Sequence, residues 1–527
     1  MRHKILFIIA ISAIILFLRG NCFAQISGII TNDTTWADSV RLNGDVIIDT
    51  GATLFIQPGT RINVTTSGVW DTTLGISGKR DLIILGKAQI KGTETDSIFF
   101  NGLGMVLLKN NDWDTIKYIR AKNTIGLCFD SSNYIVQNTL ITYGEKGVYC
   151  KNGAVVKMDS VEIDTANIGF FAEYSECIMK NSNIGWSEKG IYAVGGSLHI
   201  DSCTIQHMYR ANPDFVAGIY CVNTNVILNG SIIDDIRSEF STPVYGFYAI
   251  GGDSVACVNT VISNIKGGNL EYAYLSEVPG GSVIGFYRKK GLYTLIDNAD
   301  ISLCLGGHGS SCDEYIALAT GGGGGNATGI FLDSTNTDMT NIVVESCIGG
   351  DGGDVEHVVG GSWSGRGGNG GNGTGIRCRN TNGLLNTYSI LNIKGGIGGD
   401  AIYPGYDGAA SNLLFENNSN ITINGIEGQP EKVVCPSVQI IKCAPNPFNY
   451  STIFQYSLDE IQTINISLYN VAGQHVKTLI NAQQNEGFHK IAWDAKNEHN
   501  QKVKPGVYFC RMHTPKKSST VKVILLK

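Results

Sequence analysis

The chain has 527 residues, a length that excludes one ordinary globular core and favours several domains or an elongated repeat. Its hydrophobic content of 43% is normal for a folded protein. Only 16% of the residues are charged and the formal net charge is −6, so a nucleic-acid partner, which requires a basic surface, is excluded.

The first 24 residues have the pattern of a secretory signal peptide. After a basic start, an apolar run spans residues 5–18, which is too short to cross a bilayer comfortably. Cys22 and Ala24 place small residues at positions −3 and −1 before Gln25, so we expect cleavage between Ala24 and Gln25. The mature chain is expected to be extracellular or on the outer-membrane surface, without a transmembrane segment.

The segment 25–125 is predicted to form an N-terminal cap and the first coils of a repeat. Residues 45–60 alternate apolar and polar side chains, with glycines at the expected turns. Residues 82–90 and 97–100 repeat this alternation. These segments are predicted strands, and no convincing helical period is found in the mature sequence.

The most informative pattern is a glycine followed by an apolar residue and then, usually, an aromatic one. It occurs nine times, at Gly126, Gly147, Gly169, Gly190, Gly218, Gly246, Gly285, Gly329 and Gly375. Neighbouring copies are about 21 residues apart at first, and the spacing lengthens to about 28 and then to about 39–46. Three short strands per repeat predict a three-sided parallel β-helix over residues 25–432.

An Asn or Asp recurs at the bend that opens the third strand of each tight coil. The column contains Asn138, Asp159, Asn181, Asp201, Asn229 and Asn259. Both residue types tolerate left-handed backbone and bond locally, so we expect the column to stack its side chains along one edge. This column is predicted to be structural.

Residues 267–412 form a glycine-rich region in which each coil carries an insert. Each insert begins with a pair of glycines, and these pairs recur at the same spacing as the glycine-led motif strands. We therefore expect the inserts to emerge at one corner and lie over one another. The pairs are Gly267-Gly268, Gly306-Gly307, Gly349-Gly350 and Gly395-Gly396. The run 360–375 has nine glycines in sixteen positions and cannot pack a side-chain core. It is expected either to stay flexible or to stack backbone against backbone.

Two stretches of this region, 349–354 and 395–403, each resemble one copy of the calcium-binding nonapeptide of repeats-in-toxin proteins. That site requires tandem copies, whereas a whole coil separates these two. Calcium bound between Asp354 and Asp400 is therefore a weak alternative to glycine packing, and no other cofactor is expected.

Of the 14 cysteines, thirteen remain after the expected cleavage. Cys150, Cys221 and Cys378 each follow a motif glycine by three positions, where other coils have Ala172 or Ala193. Such a column of small residues favours free thiols in a core over the disulfides that exported proteins can also form. The disulfide state stays open at this point.

The composition changes after Pro430. A linker over 433–442 is predicted to precede a separate domain over 443–527, in which six or seven short alternating segments are separated by turns. Strands in this number and spacing predict a small β-sandwich.

This C-terminal region resembles the C-terminal sorting domains of the type IX secretion system, and also the Ig-like domain of flagellar-hook scaffold proteins. The likeness lies in residues 445–448 (Pro-Asn-Pro-Phe), 466–473, 493–494, 505–509 and 521–527. The resemblance implies passage across an outer membrane with the secretion machinery as partner. Cleavage of the domain, or its attachment to the cell surface, would follow.

The central region is similar to right-handed parallel β-helix proteins of the pectin-lyase-like superfamily. The likeness lies in the glycine-led repeat from Gly126 to Gly375 and concerns architecture. The superfamily includes polysaccharide lyases, glycoside hydrolases, epimerases, adhesins and phage tailspikes, so the fold does not determine the function.

Side chains two positions after the motif glycine are expected to point outward, because a strand alternates its faces. This column contains Tyr149, Phe171, Tyr192, Tyr220, Tyr248, Tyr287 and Phe331. With coils roughly 4.8 Å apart, the rings would form a ladder along one face. Exposed aromatic faces can stack on sugar rings, so the ladder is the candidate glycan-binding site. The alternative is that it stiffens the solenoid or lies beneath the inserts.

No catalytic residue is assigned from the sequence. The densest polar cluster lies in a coil with an insertion and contains His199, Asp201, His207, Arg210 and Asp214. A hydrolase needs two or three facing acids, and a lyase needs carboxylates for calcium and a basic residue. No second coil contributes a matching set, so a solvated turn is favoured.

The sequence therefore predicts an all-β protein, a right-handed parallel β-helix followed by a small Ig-like β-sandwich. The predicted function is that of a secreted or cell-surface binding, adhesion or structural protein that can contact polysaccharide. The alternative is a polysaccharide lyase or glycoside hydrolase of the same fold. Expected partners are the secretion machinery and polysaccharide.

Overall fold

The computed structural model describes residues 24–64, 81–110, 113–122, 126–210, 215–268, 279–313, 322–356, 366–401, 404–417, 419–423, 439–444, 446, 448, 452–458, 462–484, 487–515 and 518–526. The chain divides into two compact units, residues 1–426 and 427–527. The predicted signal peptide, apart from its last residue, and most of the predicted linker lie outside the described residues.

The first unit contains β1 (Ala24–Ile30), β2 (Thr34–Trp36), β3 (Ser39–Ile48), β4 (Thr53–Ile56), β5 (Arg61–Val64), β6 (Leu82–Ile84), β7 (Lys87–Lys91), β8 (Ile98–Asn101), β9 (Met105–Leu108), β10 (Asp114–Lys117), β11 (Ile119–Lys122), β12 (Gly126–Asp130), β13 (Asn133–Lys151), β14 (Val155–Lys180), β15 (Asn183–Gly185), β16 (Lys189–Asp201) and β17 (Thr204–Arg210). It continues with β18 (Val216–Val222), β19 (Asn225–Asn229), β20 (Ile232–Ser238), β21 (Val244–Ile250), β22 (Ser254–Val258), β23 (Val261–Lys266), β24 (Val283–Lys289), β25 (Tyr293–Leu305), β26 (Cys312–Asp313), β27 (Ala327–Asp333), β28 (Asn336–Ile348), β29 (Val355–Glu356), β30 (Gly373–Arg379), β31 (Asn382–Leu391), β32 (Ala410–Glu416) and β33 (Asn420–Ile423). The second unit contains β34 (Gln439–Ala444), β35 (Thr452–Leu458), β36 (Gln462–Asn470), β37 (His475–Gln484), β38 (Gly487–Trp493), β39 (Gly506–His513) and β40 (Ser518–Leu525).

The strands of the first unit stack coil upon coil in a 31-stranded sheet, and β26 pairs with β29 separately. Equivalent residues of successive coils are paired in parallel, as Tyr149 with Phe171 and Phe171 with Tyr192. The predicted all-β architecture, a right-handed parallel β-helix followed by an Ig-like domain, is confirmed.

Each coil has three straight faces and three corners. Face one carries the glycine-led motif and contains β12, β18, β21, β24, β27, β30 and β32. Face two contains β4, β7, β19, β22 and β33, and face three contains β5, β8, β11, β15, β17, β20 and β23. Longer strands such as β13 and β14 bend through corners, and we number each corner after the face that precedes it.

The inward side chains of the three faces fill one continuous core. On face one, Val148, Phe170 and Ile191 are in register and fully buried. The cysteines whose side chains the structure describes are unpaired thiols, and all of these but Cys443 are buried. Burial raises the pKa of Cys221 to about 12, so this thiol stays protonated at neutral pH.

Asn and Asp side chains form a hydrogen-bonded column at corner two. Asn181 Nδ2 donates to Asp159 Oδ1 at 3.0 Å. In later coils Asn229 Nδ2 donates to Asp201 Oδ1, and Asn259 Nδ2 donates to Asn229 Oδ1, each at 3.2 Å. Asn181 and Asn259 have φ of 47° and 49°, in the left-handed region. These hydrogen bonds give the column its predicted structural role. Its members do not share one position, however, because Asp159, Asp201 and Asn229 precede the left-handed residues Ser160, Ser202 and Gly230.

The inserts stack backbone upon backbone. The segment that leaves each coil and the segment that returns to it alternate along one column. Each glycine N–H in this column donates to the carbonyl of the glycine before it at 2.8–3.1 Å. The glycines are, in order, Gly268, Gly281, Gly307, Gly325, Gly350, Gly371, Gly396 and Gly408. We call residues 267–268, 279–281, 306–310, 322–326, 349–354, 366–372, 395–400 and 404–409 the glycine slab. Among the described residues it replaces a side-chain core.

A three-residue period explains the slab. Residues 349–354 read Gly-Gly-Asp-Gly-Gly-Asp and 367–372 read Gly-Gly-Asn-Gly-Gly-Asn. An extended chain with three residues per turn directs every third side chain the same way and leaves glycine against its neighbours. A Cβ on Gly350 would overlap the Gly307 carbonyl oxygen, so only glycine allows this approach.

The second unit is a β-sandwich of two antiparallel sheets, with strand orders β34-β35-β38 and β37-β36-β39-β40. Its separate core is centred on Trp493, whose ring centroid lies 5.4 Å from that of Phe448 and 5.2 Å from that of Tyr508. Trp493 Nε1 donates to the Lys496 carbonyl at 2.9 Å, so the one polar atom of the buried indole is satisfied.

Replacing Gly350 by Ala should loosen the glycine slab, because the new Cβ would meet backbone that cannot rotate away. We expect amide hydrogen exchange of peptides that contain Gly371 and Gly396 to accelerate by about tenfold or more, measured by mass spectrometry. Gly51→Ala is the matched control, since no atom lies within 4 Å of a Cβ there. Unchanged exchange in Gly350→Ala would contradict backbone packing of the inserts.

Candidate functional site

The seven predicted rings form a continuous ladder on face one. From Tyr149 to Phe331, neighbouring ring centroids lie 4.9, 5.1, 5.3, 4.6, 4.9 and 4.9 Å apart. The in-register pairing of the coils sets these distances, because each ring sits on the strand next to its neighbour. The structure thus brings all seven residues together.

The ladder rings have little free surface. The Tyr149 and Phe171 rings are stacked within 9° of parallel, so each covers one face of the other. Tyr287 and Phe331 are only 7% exposed. Most of the ring area therefore contacts protein.

A second layer of side chains covers the ladder. The Lys146 ammonium lies 4.4 Å from the Tyr149 ring centroid, and the Phe215 ring stacks 4.5 Å from the Tyr220 ring. The Arg377 guanidinium lies 4.6 Å from the Phe331 centroid. Sugar stacking requires a free aromatic face, so this geometry is better suited to stiffening the coils than to holding a glycan.

The structure separates the polar cluster that the sequence indicated. His199 lies on face two, and Asp201 ends the same strand with its carboxylate bound in the corner-two column. His207 lies at corner three instead. The Arg210 side chain and Asp214 lie outside the described residues.

His207 contacts residues of the two neighbouring coils at corner three. Its Nδ1–H donates to Asp235 Oδ2 at 2.6 Å, since a carboxylate only accepts. The Trp186 indole stacks on the imidazole with centroids 4.8 Å apart. Arg237 Nη2 lies 3.5 Å from Asp235 Oδ2, and its guanidinium lies 5.9 Å from the Tyr209 centroid. We call these five residues the corner-three platform.

The corner-three platform presents an aromatic surface to solvent. Trp186 is 56% exposed, and its φ of 48° is in the left-handed region that bulky residues rarely adopt. The other residues of this corner share the conformation, as His207 does with φ of 59°, so the turn itself directs the indole outward. The equivalent residue one coil earlier is Thr165, with φ of 57° and no ring, so this column places no aromatic neighbour on the second indole face.

Trp186 is not among the site residues predicted from the sequence, although the sequence contains a signal for it. Thr165, Trp186 and His207 recur at the coil spacing of about 21 residues. Asp235 follows His207 by about 28 residues because the coil is longer, so a fixed spacing does not align it with the others.

Two carboxylates stand beside the platform on face three. Asp164 is in register with Gly185, the residue before Trp186, and Glu162 lies two positions before Asp164 on the same side of β14. Strand geometry puts their Cα atoms roughly 7 Å apart. Loss of solvent around its carboxyl raises the pKa of Glu162, the Asp164 carboxylate raises it further, and Arg120 opposes this.

The weak calcium candidates lie in the glycine slab. Asp354 Oδ1 accepts the Asp400 backbone N–H at 2.7 Å, and the Asp354 N–H donates to Ser311 Oγ at 3.2 Å. The Asp354 carboxylate thus links neighbouring coils. No group of three or more His, Cys, Asp or Glu side chains within the described residues could hold a metal ion.

Residues 451–518 match the profile of the FlgD Ig-like domain family. This match covers part of the second unit and less than half of the chain. No curated protein sequence matches the chain significantly. The described part of the chain contains no helix with the length and hydropathy needed to span a bilayer.

Several solved structures are similar at low identity. Dimeric latent PorU from Porphyromonas gingivalis is 18% identical over 16% of this chain and 9% of its own, with a TM-score of 0.14. Tailspike protein 3 of bacteriophage CBA120 is 11% identical over 89% of this chain and 65% of its own, with a TM-score of 0.24. The tailspike gp49 of Acinetobacter baumannii bacteriophage Fri1, a capsular polysaccharide depolymerase, is 8% identical over 95% of this chain and 73% of its own, with a TM-score of 0.19. The chain spans a small part of PorU and just under two thirds of tailspike 3, and these scores transfer no function.

Removing one ladder ring should weaken the solenoid. Tyr220→Ala loses stacking on Tyr248, whose centroid lies 4.6 Å away, and on Phe215, so we expect the free energy of unfolding to fall by about 2 kcal/mol in urea denaturation. The control is Tyr406→Ala, an exposed tyrosine of the same unit, expected to change stability by about 0.5 kcal/mol or less. Equal stability of both variants would contradict a stabilising ladder.

Proposed function

We propose that this protein is a secreted or cell-surface β-helix protein that binds polysaccharide through the corner-three platform. The observation that carries the proposal is the exposed Trp186 indole, held beside the His207–Asp235 pair. On this proposal the face-one ladder acts as scaffold, and the sugar contacts lie at the corner.

The chemistry of the platform suits a sugar. An indole face can stack on the C–H face of a pyranose, while carboxylate, imidazole and guanidinium groups bond its hydroxyls. Tyr143, exposed in the same column two coils before Trp186, provides a second ring, with the Lys122 ammonium 5.5 Å from its centroid. Coils roughly 4.8 Å apart let an extended polymer lie along the corner.

We infer that the C-terminal sandwich directs export by a type IX-like route, which places the protein outside the cell or on the outer-membrane surface. Support comes from the sorting-domain motifs at 445–448 and 505–509, and from the FlgD Ig-like match over 451–518. The signal-peptide pattern over residues 1–24 supplies the first export step.

Glycoside hydrolysis is the second candidate function. It is favoured by one observation, the Glu162 and Asp164 carboxylates on one face beside Trp186, with the pKa of Glu162 raised. A glycosidase needs one carboxyl that stays protonated to donate to the leaving oxygen and a second that is ionised.

Trp186→Ala should weaken polysaccharide binding by about tenfold or more, because the stacking face is lost. Affinity electrophoresis through gels that contain neutral or acidic polysaccharides measures this. Trp113→Ala is the matched control, since Trp113 is 51% exposed on another part of the surface and should leave binding unchanged.

Two results of that experiment would count against the platform as a binding site. Equal binding of the Trp186→Ala and wild-type proteins would contradict the role of the indole. A fall in polymer length during incubation, abolished by Glu162→Gln, would favour the hydrolase instead.

Deleting residues 443–527 should leave the protein in the periplasm of a host that has a type IX secretion system. The β-helix keeps its own core without this region, so the deletion tests export rather than folding. Cell fractionation and immunoblotting measure the result, with full-length Val471→Ala, a change at an exposed residue, as control. Normal export of the truncated chain would refute the sorting role.

A further inference from the structure

A groove at corner one is independent of the platform. It encloses about 520 Å³, within the size range of small-molecule sites, and is lined by Glu176, Gly196, Ser197, Asn223, Asn225, Gly252 and Asp253. These residues come from four successive coils. Every side chain that lines the groove is polar. No residue of the corner-three platform or of the ladder lines it.

Paired left-handed glycines open the groove. Gly195 and Gly196 have φ of 67° and 72°, and Gly251 and Gly252 have φ of 68° and 76°. A Cβ on Gly196 would overlap the Ser175 carbonyl, so this corner cannot carry a side chain. The two glycine corners recede and leave space between the coils.

A buried cation supports the wall of the groove from inside. Arg288 is fully buried, and its guanidinium donates to the Gly251 carbonyl and, at 3.0 Å, to the Gly252 carbonyl. Burial lowers its pKa to about 10, so it stays charged at neutral pH. Its Nε has no partner within the described structure. Arg288 is therefore a positioning residue for the Gly251–Gly252 corner.

The groove offers ordered hydrogen-bonding groups. Asn225 Oδ1 accepts the backbone N–H groups of Asp253 at 2.8 Å and Ser254 at 3.1 Å, which fixes the amide with Nδ2 as a donor. Glu176 and Asp253 are exposed carboxylates that form no ion pair with any described residue. Two uncompensated negative charges repel anionic ligands and accept hydroxyl protons.

An aromatic side chain stands next to the groove. Tyr174 is 64% exposed with φ of 47°, and its ring lies against Gly195, where a Cβ would contact it. The left-handed backbone of this corner, shared by Asn152 and Asn223, turns the ring outward over Gly195 at one end of the groove. Aromatic area, carboxylates and an oriented amide together match a hydroxyl-rich ring with one apolar side.

We propose that the corner-one groove binds a short neutral glycan segment that runs along the coils, with Tyr174 stacking on one pyranose and Glu176, Asn225 and Asp253 bonding hydroxyls along the segment. The proposal extends the proposed function to a second site, and it excludes uronic acids and sulfated sugars as ligands there. Arg288 acts through the Gly252 backbone and does not touch the sugar.

The test uses the full chain carrying Trp186→Ala, so that the platform does not contribute. Cellohexaose, maltohexaose, mannohexaose and a galacturonate hexasaccharide are titrated by isothermal calorimetry. We expect at least one neutral hexasaccharide to bind and the galacturonate to fail. Glu176→Gln with Asp253→Asn should weaken that binding by about tenfold, and Tyr174→Ala should do the same. Glu94→Gln, a change at an exposed carboxylate outside both sites, should leave it unchanged.

The results separate the two sites. Binding that is lost with Trp186→Ala alone overturns the groove and leaves the proposed function standing. Binding in the Trp186→Ala protein that disappears in the groove variants supports the groove even if the platform fails. Failure of all three neutral hexasaccharides to bind, stronger binding of the galacturonate, or a calcium titration that is lost in the Glu176→Gln, Asp253→Asn protein overturns the neutral-sugar site.

Discussion

The in-register parallel stacking of coils is the constraint on which the rest of the first unit depends. Each residue is paired with its equivalent in the next coil, as Tyr149 is with Phe171. Side chains of like chemistry are then forced into columns: aromatic rings on face one, and Asn or Asp amides and carboxylates at corner two. A substitution in one coil therefore changes contacts with both neighbouring coils.

The same stacking governs the inserts, where backbone replaces side chains. Coils that lie one above another bring glycines such as Gly307 and Gly350 into contact that excludes a Cβ. Polar residues at the third position of the Gly-Gly-X units then bond along the stack, as Asp354 does with the Asp400 amide. One geometric rule thus accounts for a hydrophobic core and for a slab without one.

The sequence predicted the columns that repeat on strands and missed the chemistry at the corners. Regular alternation identified the faces, the ladder and the C-terminal sandwich, because burial imposes a period of two on a strand. Trp186 and Tyr174 occupy turns, where left-handed backbone decides the direction of the side chain and sequence carries little sign of it. Asp235 bonds to His207 across a coil that is longer than the earlier ones. A fixed sequence spacing therefore does not predict this pair, and only the strand register of the folded chain shows it.

Glycan recognition at corners rather than on a face is the central claim, and a hydrogen-exchange footprint tests it most directly. With a bound polysaccharide, exchange should slow in peptides that cover residues 183–187, 204–210 and 232–238, which lie outside the face-one strands and carry Trp186, His207 and Asp235. Protection confined to the face-one strands that carry Tyr192, Tyr220 and Tyr248, with none at corner three, would contradict the claim and restore the ladder as the binding surface.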